Sequence, residues 1–159
     1  GRVLGGLGSA YSELERWTEA IGYYQSALHT SRDVNDREDE ALQLSNLGQA
    51  QVEAGKLPDA LLSYRQALHL AFESGQREDI VSAVVDLVRL MLRSKRLLSI
   101  CDLLLQEAIA LEPDDRDVKQ LTADVQAKIR EANAAGIEQA PVNGTARQYA
   151  ANAYALTSE

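Results

Sequence analysis

Two histidines, one cysteine and a surplus of carboxylates are the side chains in this 159-residue sequence that could carry chemistry. His29 and His69 are forty residues apart, but zinc takes three or four ligands and no third histidine or cysteine stands near either. Cys101 has no histidine partner to draw off its proton, so it reads as a packed, inert thiol. The acids fall in runs, from Asp33 to Glu40 and from Glu112 to Asp117, where helix starts use them as caps and dipole partners and water solvates the rest. Gly5, Gly6 and Gly8 lie inside a helical pattern with no strand before them, which is not the context of a phosphate loop. The residues therefore predict no enzyme, no metal site and no cofactor.

Composition narrows the partners. A net charge of -8 and a pI near 4.8 deny the chain a general attraction to nucleic acid or anionic lipid. No stretch has the length of a membrane span, and the N-terminus lacks the basic start and apolar core of a signal peptide. A lone cysteine cannot close an internal disulfide, and with no address in the sequence the expected location is cytoplasmic. The opening at Gly1, already inside a structural motif, is what a piece cut from a longer protein at a repeat boundary would show. Apolar residues at 45%, charged residues at 25% and few aromatic or β-branched side chains point to a helical, globular chain.

The elements that must position these residues are set by a repeat. Shifted by forty residues, the sequence pairs Leu4 with Leu44, Leu7 with Leu47, Gly8 with Gly48, Ala20 with Ala60, Tyr24 with Tyr64 and His29 with His69. Thirteen of forty positions are identical, where chance gives about two or three. A third unit keeps Leu87 and Leu97 in register, then brings Cys101, Leu105 and Ala108 into place only after a one-residue insertion, expected in its inter-helix turn. Apolar steps of three and four residues make each unit two helices, predicted at 2–14, 18–33, 37–54, 58–74, 78–93 and 98–111, with a seventh after Pro113. Gly55, Pro58 and Gly75 mark turns, and Asn35 or Asp36 caps the second unit.

The pattern carried by Leu4, Leu7, Gly8, Tyr11, Ala20, Tyr24 and Ala27 resembles the tetratricopeptide repeat, over residues 1 to 113. The forty-residue length is similar to the extended repeats of kinesin light chain-like and cell-polarity adaptor proteins and of bacterial signalling arrays. Departures are Gln51 where an aromatic is expected, and Leu87 with Val88 in place of the Leu-Gly pair. Small residues at Gly8 and Ala20 are expected to let helices approach, with aromatics filling space between hairpins.

The fold implied is an all-α superhelix of three helical hairpins, units 1–40, 41–80 and 81–113. A capping helix over 114–135 carries a stripe of Val118, Leu121, Val125 and Ile129. Residues 1–135 are expected to form one domain, and 136–159 a flexible tail.

The resemblance also implies a function. First helices of such hairpins line a concave surface that binds a peptide or helical segment of a partner protein. That makes Asn46, Gln49, Glu53, Arg89 and Arg93 the expected partner-binding residues, with Asn46 gripping backbone through its amide. A clamp for a chaperone's terminal carboxylate is not expected, because its basic positions are Gly5 and Asp86 here. Arg89 and Arg93, followed by Lys95 and Arg96, form the one positive patch, suited either to an acidic peptide or to the acids of its own hairpin edge. The alternative function is structural, a stretch of a longer solenoid that spaces or oligomerises other domains. In the tail, Tyr149, Ala150, Ala153, Tyr154 and Leu156 cluster on one helical face over 145–156. Such a short helix needs a surface, and the groove of its own or another copy is the expected one, which would make the tail a route to self-association.

Overall fold

The computed structural model describes residues 1–93, 97–137, 139, 142 and 144–155, with side chains as far as residue 151. Every regular element among them is a helix. They are α1 (Arg2–Glu13), α2 (Trp17–Asp33), α3 (Arg37–Glu53), α4 (Leu57–Ser74), α5 (Arg77–Met91), α6 (Leu98–Leu111), α7 (Arg116–Ala134) and α8 (Ala146–Ala155). Asp36 caps α3 by accepting from the Asp39 N–H at 3.0 Å, while Asn35 beside it takes the left-handed conformation at φ 55°. Gly75 ends α4 at φ 72°, and Pro58 sits in that helix's first turn, where no intrahelical donor is needed.

Helices α1 and α2, α3 and α4, and α5 and α6 pack as hairpins. Each later hairpin leans its first helix on both helices of the one before: α3 on α2 and α1, α5 on α4 and α3. Helix α7 repeats this on α6 and α5, burying Val118, Leu121 and Val125 and half-burying Ile129 against the core. The backbones of α2, α4 and α6 make no close approach to one another. The first helices α1, α3, α5 and α7 therefore form one continuous face of a helical solenoid, and the second helices form the other. Cys101, Leu105 and Ala108 are fully buried where Ala60, Tyr64 and Ala67 stand one unit earlier, so the extra residue lies in the connection 92–97.

Three sets of repeat-related pairs hold the hairpins together, and within each set the two partners change together. A Cβ on Gly8 would lie 2.6 Å from Tyr24 Cε1, and one on Gly48 would lie 2.7 Å from Tyr64 Cε1. The tyrosines thus fill space within their own hairpins, not between hairpins as expected. In the third unit the same two places hold Val88 and Leu105, a larger residue opposite a smaller one, both fully buried. Tyr11 stacks on Tyr23 with centroids 5.0 Å apart; the next unit has a buried hydrogen bond there, Ser63 Oγ donating to Gln51 Oε1 at 2.7 Å; the third has Met91 and Leu104. Gln51, at the place of the expected aromatic, thus pairs with Ser63 at the place of its stacking partner.

The third set corrects the view of the acids from Asp33 to Glu40 as solvated. Glu40 is 1% exposed and accepts from Arg32 Nε and from Arg37 Nη1, each at 2.8 Å. Asp39 accepts from Ser31 and from Gln43 Nε2, the latter at 3.0 Å. One unit on, the places of Arg32 and Glu40 belong to Phe72 and Ile80, both buried in the apolar core.

Candidate functional site

On α3, Asn46, Gln49 and Glu53 follow at three- and four-residue steps and share one face. Gln49 donates to Glu53 Oε1 at 2.9 Å and accepts from the Tyr64 hydroxyl at 3.2 Å, so the α4 tyrosine behind the helix fixes the α3 side chains in front of it. Burial, with Asp86 and Glu53 adding to it, pushes the Tyr64 phenol above its ordinary range, and it stays a neutral donor. Arg89 on α5, and Arg93 in the turn just past its end, reach the same space. Gln49, Glu53, Arg89 and Arg93 line one cleft of about 190 Å³ between α3 and α5, with Tyr64 and Asp86. Asn46 is half-buried one turn before Gln49, outside the lining, and no hydrogen bond among the described residues reaches its amide.

The two arginines differ. Arg89 Nη2 lies 2.6 Å from Asp117 Oδ2 at the start of α7, so the self-pairing expected of the hairpin edge is present at this residue. Arg93 is exposed at the end of the cleft. Lys95 and Arg96 lie outside the described residues.

A larger cleft, about 390 Å³, lies between α5 and α7 and shares Asp86 and Arg89 with the first. Val81 and Val85 floor it; Glu78 and Glu112 stand at its rim. Sequence reasoning missed Glu78, Ser82 and Glu112. Their signal is present, since Glu112 to Asp117 precedes α7, but it becomes legible only once α7 is known to lean on α5.

Elsewhere the chemistry is quiet. His29 Nε2 faces Asp33 Oδ2 at 3.4 Å, and His69 Nε2 faces Glu73 Oε1 at 3.5 Å, each one turn along its own helix. Burial pushes the Cys101 thiol up to about 12, so the thiolate that nucleophilic chemistry needs is scarce near neutral pH. Among the described residues no group of three His, Cys, Asp or Glu side chains is placed to hold a metal ion, and no helix is long and apolar enough to cross a membrane.

The tail helix departs from expectation. Helix α8 packs along α4 and touches α6, on the face of second helices and not in the groove of first helices. Ala146 and Ala150 are buried there. Two arginine contacts mirror each other: Arg65 covers the Tyr149 ring at 4.2 Å and donates to the Tyr149 carbonyl at 2.8 Å, while Arg147 covers Phe72 at 4.9 Å and donates to its carbonyl at 3.0 Å. The stripe's Ala153, Tyr154 and Leu156 lie outside the described side chains.

A comparison with protein families matches residues 1–71 to the tetratricopeptide repeat. Residues 1–71 belong to the tetratricopeptide repeat family. The match ends within α4, so it takes in the first tetratricopeptide hairpin and most of the second. The third hairpin keeps their packing while exchanging the marks of the tetratricopeptide repeat: Val88 for the glycine, Leu105 for the tyrosine and a longer turn. Tetratricopeptide repeats are in general protein-interaction elements and typically not enzymes. A search of curated proteins finds no match to this sequence.

Proposed function

We propose that this chain is a protein-interaction module, without enzymatic activity, whose first-helix face holds a peptide or helical segment of a partner. The observation that carries this reading is the convergence of Gln49, Glu53, Arg89 and Arg93 on one cleft, beside an Asn46 amide that no hydrogen bond among the described residues engages. An extended segment has backbone groups that need partners, and a free carboxamide supplies both a donor pair and an acceptor. Residues 1–135 act as one unit in this reading, and the charge of the chain favours protein over nucleic acid or membrane as its partner. The test is a pull-down with wild type and an Asn46→Ala, Arg89→Ala, Arg93→Ala variant. Loss of one set of partners from the variant is expected, and equal recovery of every partner overturns the reading.

A second reading, that the hairpins are a stretch of a longer stack or associate end to end, is favoured by the outer side of α1. Leu7 is 40% exposed, whereas its repeat equivalents Leu47 and Leu87 are 5% and 0% exposed beneath the preceding hairpin. Val3 beside it is 81% exposed. That side has the composition of a face that another hairpin covers.

A further inference from the structure

We infer that the outer side of α1 takes the α1 of a second copy, antiparallel to its own, with Val3 against Leu14 of the second copy and Arg2 against Glu13 of the second copy. This rests on the end-to-end reading above and names both the partner and its direction.

Val3, Leu7, Ala10 and Leu14 are all exposed, Leu14 at 67%. Steps of four, three and four residues place them on one seam along α1, the spacing at which two helices pack side by side, and the seam carries no charge. Its equivalents on α3 are Gln43, Leu47, Ala50 and Ala54, and the first three of these are buried beneath the hairpin of α1 and α2. The seam on α1 is therefore the same inter-hairpin interface without its cover, and what covers it must be apolar along its middle. The other end of the molecule does not meet that condition. The exposed side of α7 carries Arg116, Lys119, Gln120 and Arg130, so copies stacked head to tail would bury cations against the seam.

The seam fits its own reversed image. A two-fold axis beside the middle of α1 sets Val3 over Leu14 at the ends and Leu7 over Ala10 at the centre, so a large side chain meets a small one where the helices are closest. Gly6 has open space where a Cβ would stand, which lets the second helix come near. Charge then fixes the direction. Arg2 and Glu13 are separated by about three helical turns, so they lie on one flank of the seam at opposite ends of α1. Both are exposed, and no hydrogen bond or ion pair among the described residues engages either side chain; Arg2 acts on Asp39 through its field alone. Antiparallel pairing brings each Arg2 to a Glu13 and opposes the two helix dipoles, whereas parallel pairing sets like charge beside like. With one helix of 12 residues from each copy, the interface is small, below about 1,200 Å² in total, and a dissociation constant on the order of 100 µM is expected.

The experiment is sedimentation equilibrium of the full chain at concentrations from about 10 µM to about 1 mM. Wild type is compared with Leu7→Glu, Arg2→Glu, Glu13→Arg and an equal mixture of the last two variants. Wild type is expected to dimerise, Leu7→Glu to stay monomeric, and each charge variant alone to dimerise about tenfold more weakly. The mixture is expected to recover the wild-type affinity, because in a mixed antiparallel dimer every acid again faces an arginine. Association that is lost in Leu7→Glu but unmoved in both charge variants, or not recovered in the mixture, overturns the antiparallel pairing and leaves the stacking face standing. Association that survives Leu7→Glu lies elsewhere on the molecule and overturns the end-to-end reading with it. A chain monomeric throughout overturns the second copy as the occupant of the seam. Melting temperatures are measured alongside: Arg2→Glu places an acid in the first turn of α1 and Glu13→Arg a cation in its last, both favourable to the helix, so weaker association is not attributable to unfolding.

Discussion

Glu40 is the side chain on which the first contact between hairpins turns, because it is buried as a charge and satisfied by two arginines that keep much of their own surface in water. Removing the arginines strands the charge. An Arg32→Met/Arg37→Met variant is expected to lose about 3–5 kcal/mol of stability in denaturant unfolding. The repeat itself suggests the reverse experiment, since one unit later the same two places hold Phe72 and Ile80. Arg32→Phe/Glu40→Ile is therefore expected to melt at or above the wild-type temperature, and a clear drop would refute the equivalence of the two interfaces. At this scale the sequence was only partly legible. Periodicity exposes Gly8, Gly48, Ala20 and Ala60 because identical residues recur. Arg32 with Glu40 and Phe72 with Ile80 share no residue type, so their common place appears only in three dimensions. The same holds for Tyr11 with Tyr23 and Gln51 with Ser63.

At the scale of elements, α1 to α7 were legible because apolar spacing, caps and turn residues agree at nearly every boundary, and the one-residue slip in the third unit was legible because Leu87 and Cys101 keep register on either side of it. The seat of α8 was not. Its amphipathic pattern says that it needs a surface but not which one, and the arginine contacts that decide the matter join residues far apart in sequence: Arg65 with Tyr149, and Phe72 with Arg147. Deleting residues 145–159 is expected to cost roughly 2–4 kcal/mol, from the lost burial of Tyr149 and the two alanines. Amide protection should fall along α4 and α6. Affinity of the first-helix groove for a partner segment should stay the same, and a rise in affinity would place the tail back in the groove.

For the whole molecule, the uncovered Leu7 and Val3 on α1 set a prediction about association. If this face stacks on another hairpin, the chain self-associates at high concentration by light scattering, and Leu7→Glu returns it to a monomer while leaving its unfolding free energy within about 0.5 kcal/mol of wild type. A wild-type chain monomeric at every concentration would remove end-to-end stacking of copies. The position of α8 has a further, mechanical meaning. The backbones of the second helices stay apart, and each hairpin meets the next chiefly through a first helix. By touching both α4 and α6, α8 bridges one of those gaps, while among the described residues no element bridges the gap between α2 and α4. The first hairpin is therefore expected to exchange its amide hydrogens faster than the third in the free chain, and equal protection of the two would refute a bracing role for α8.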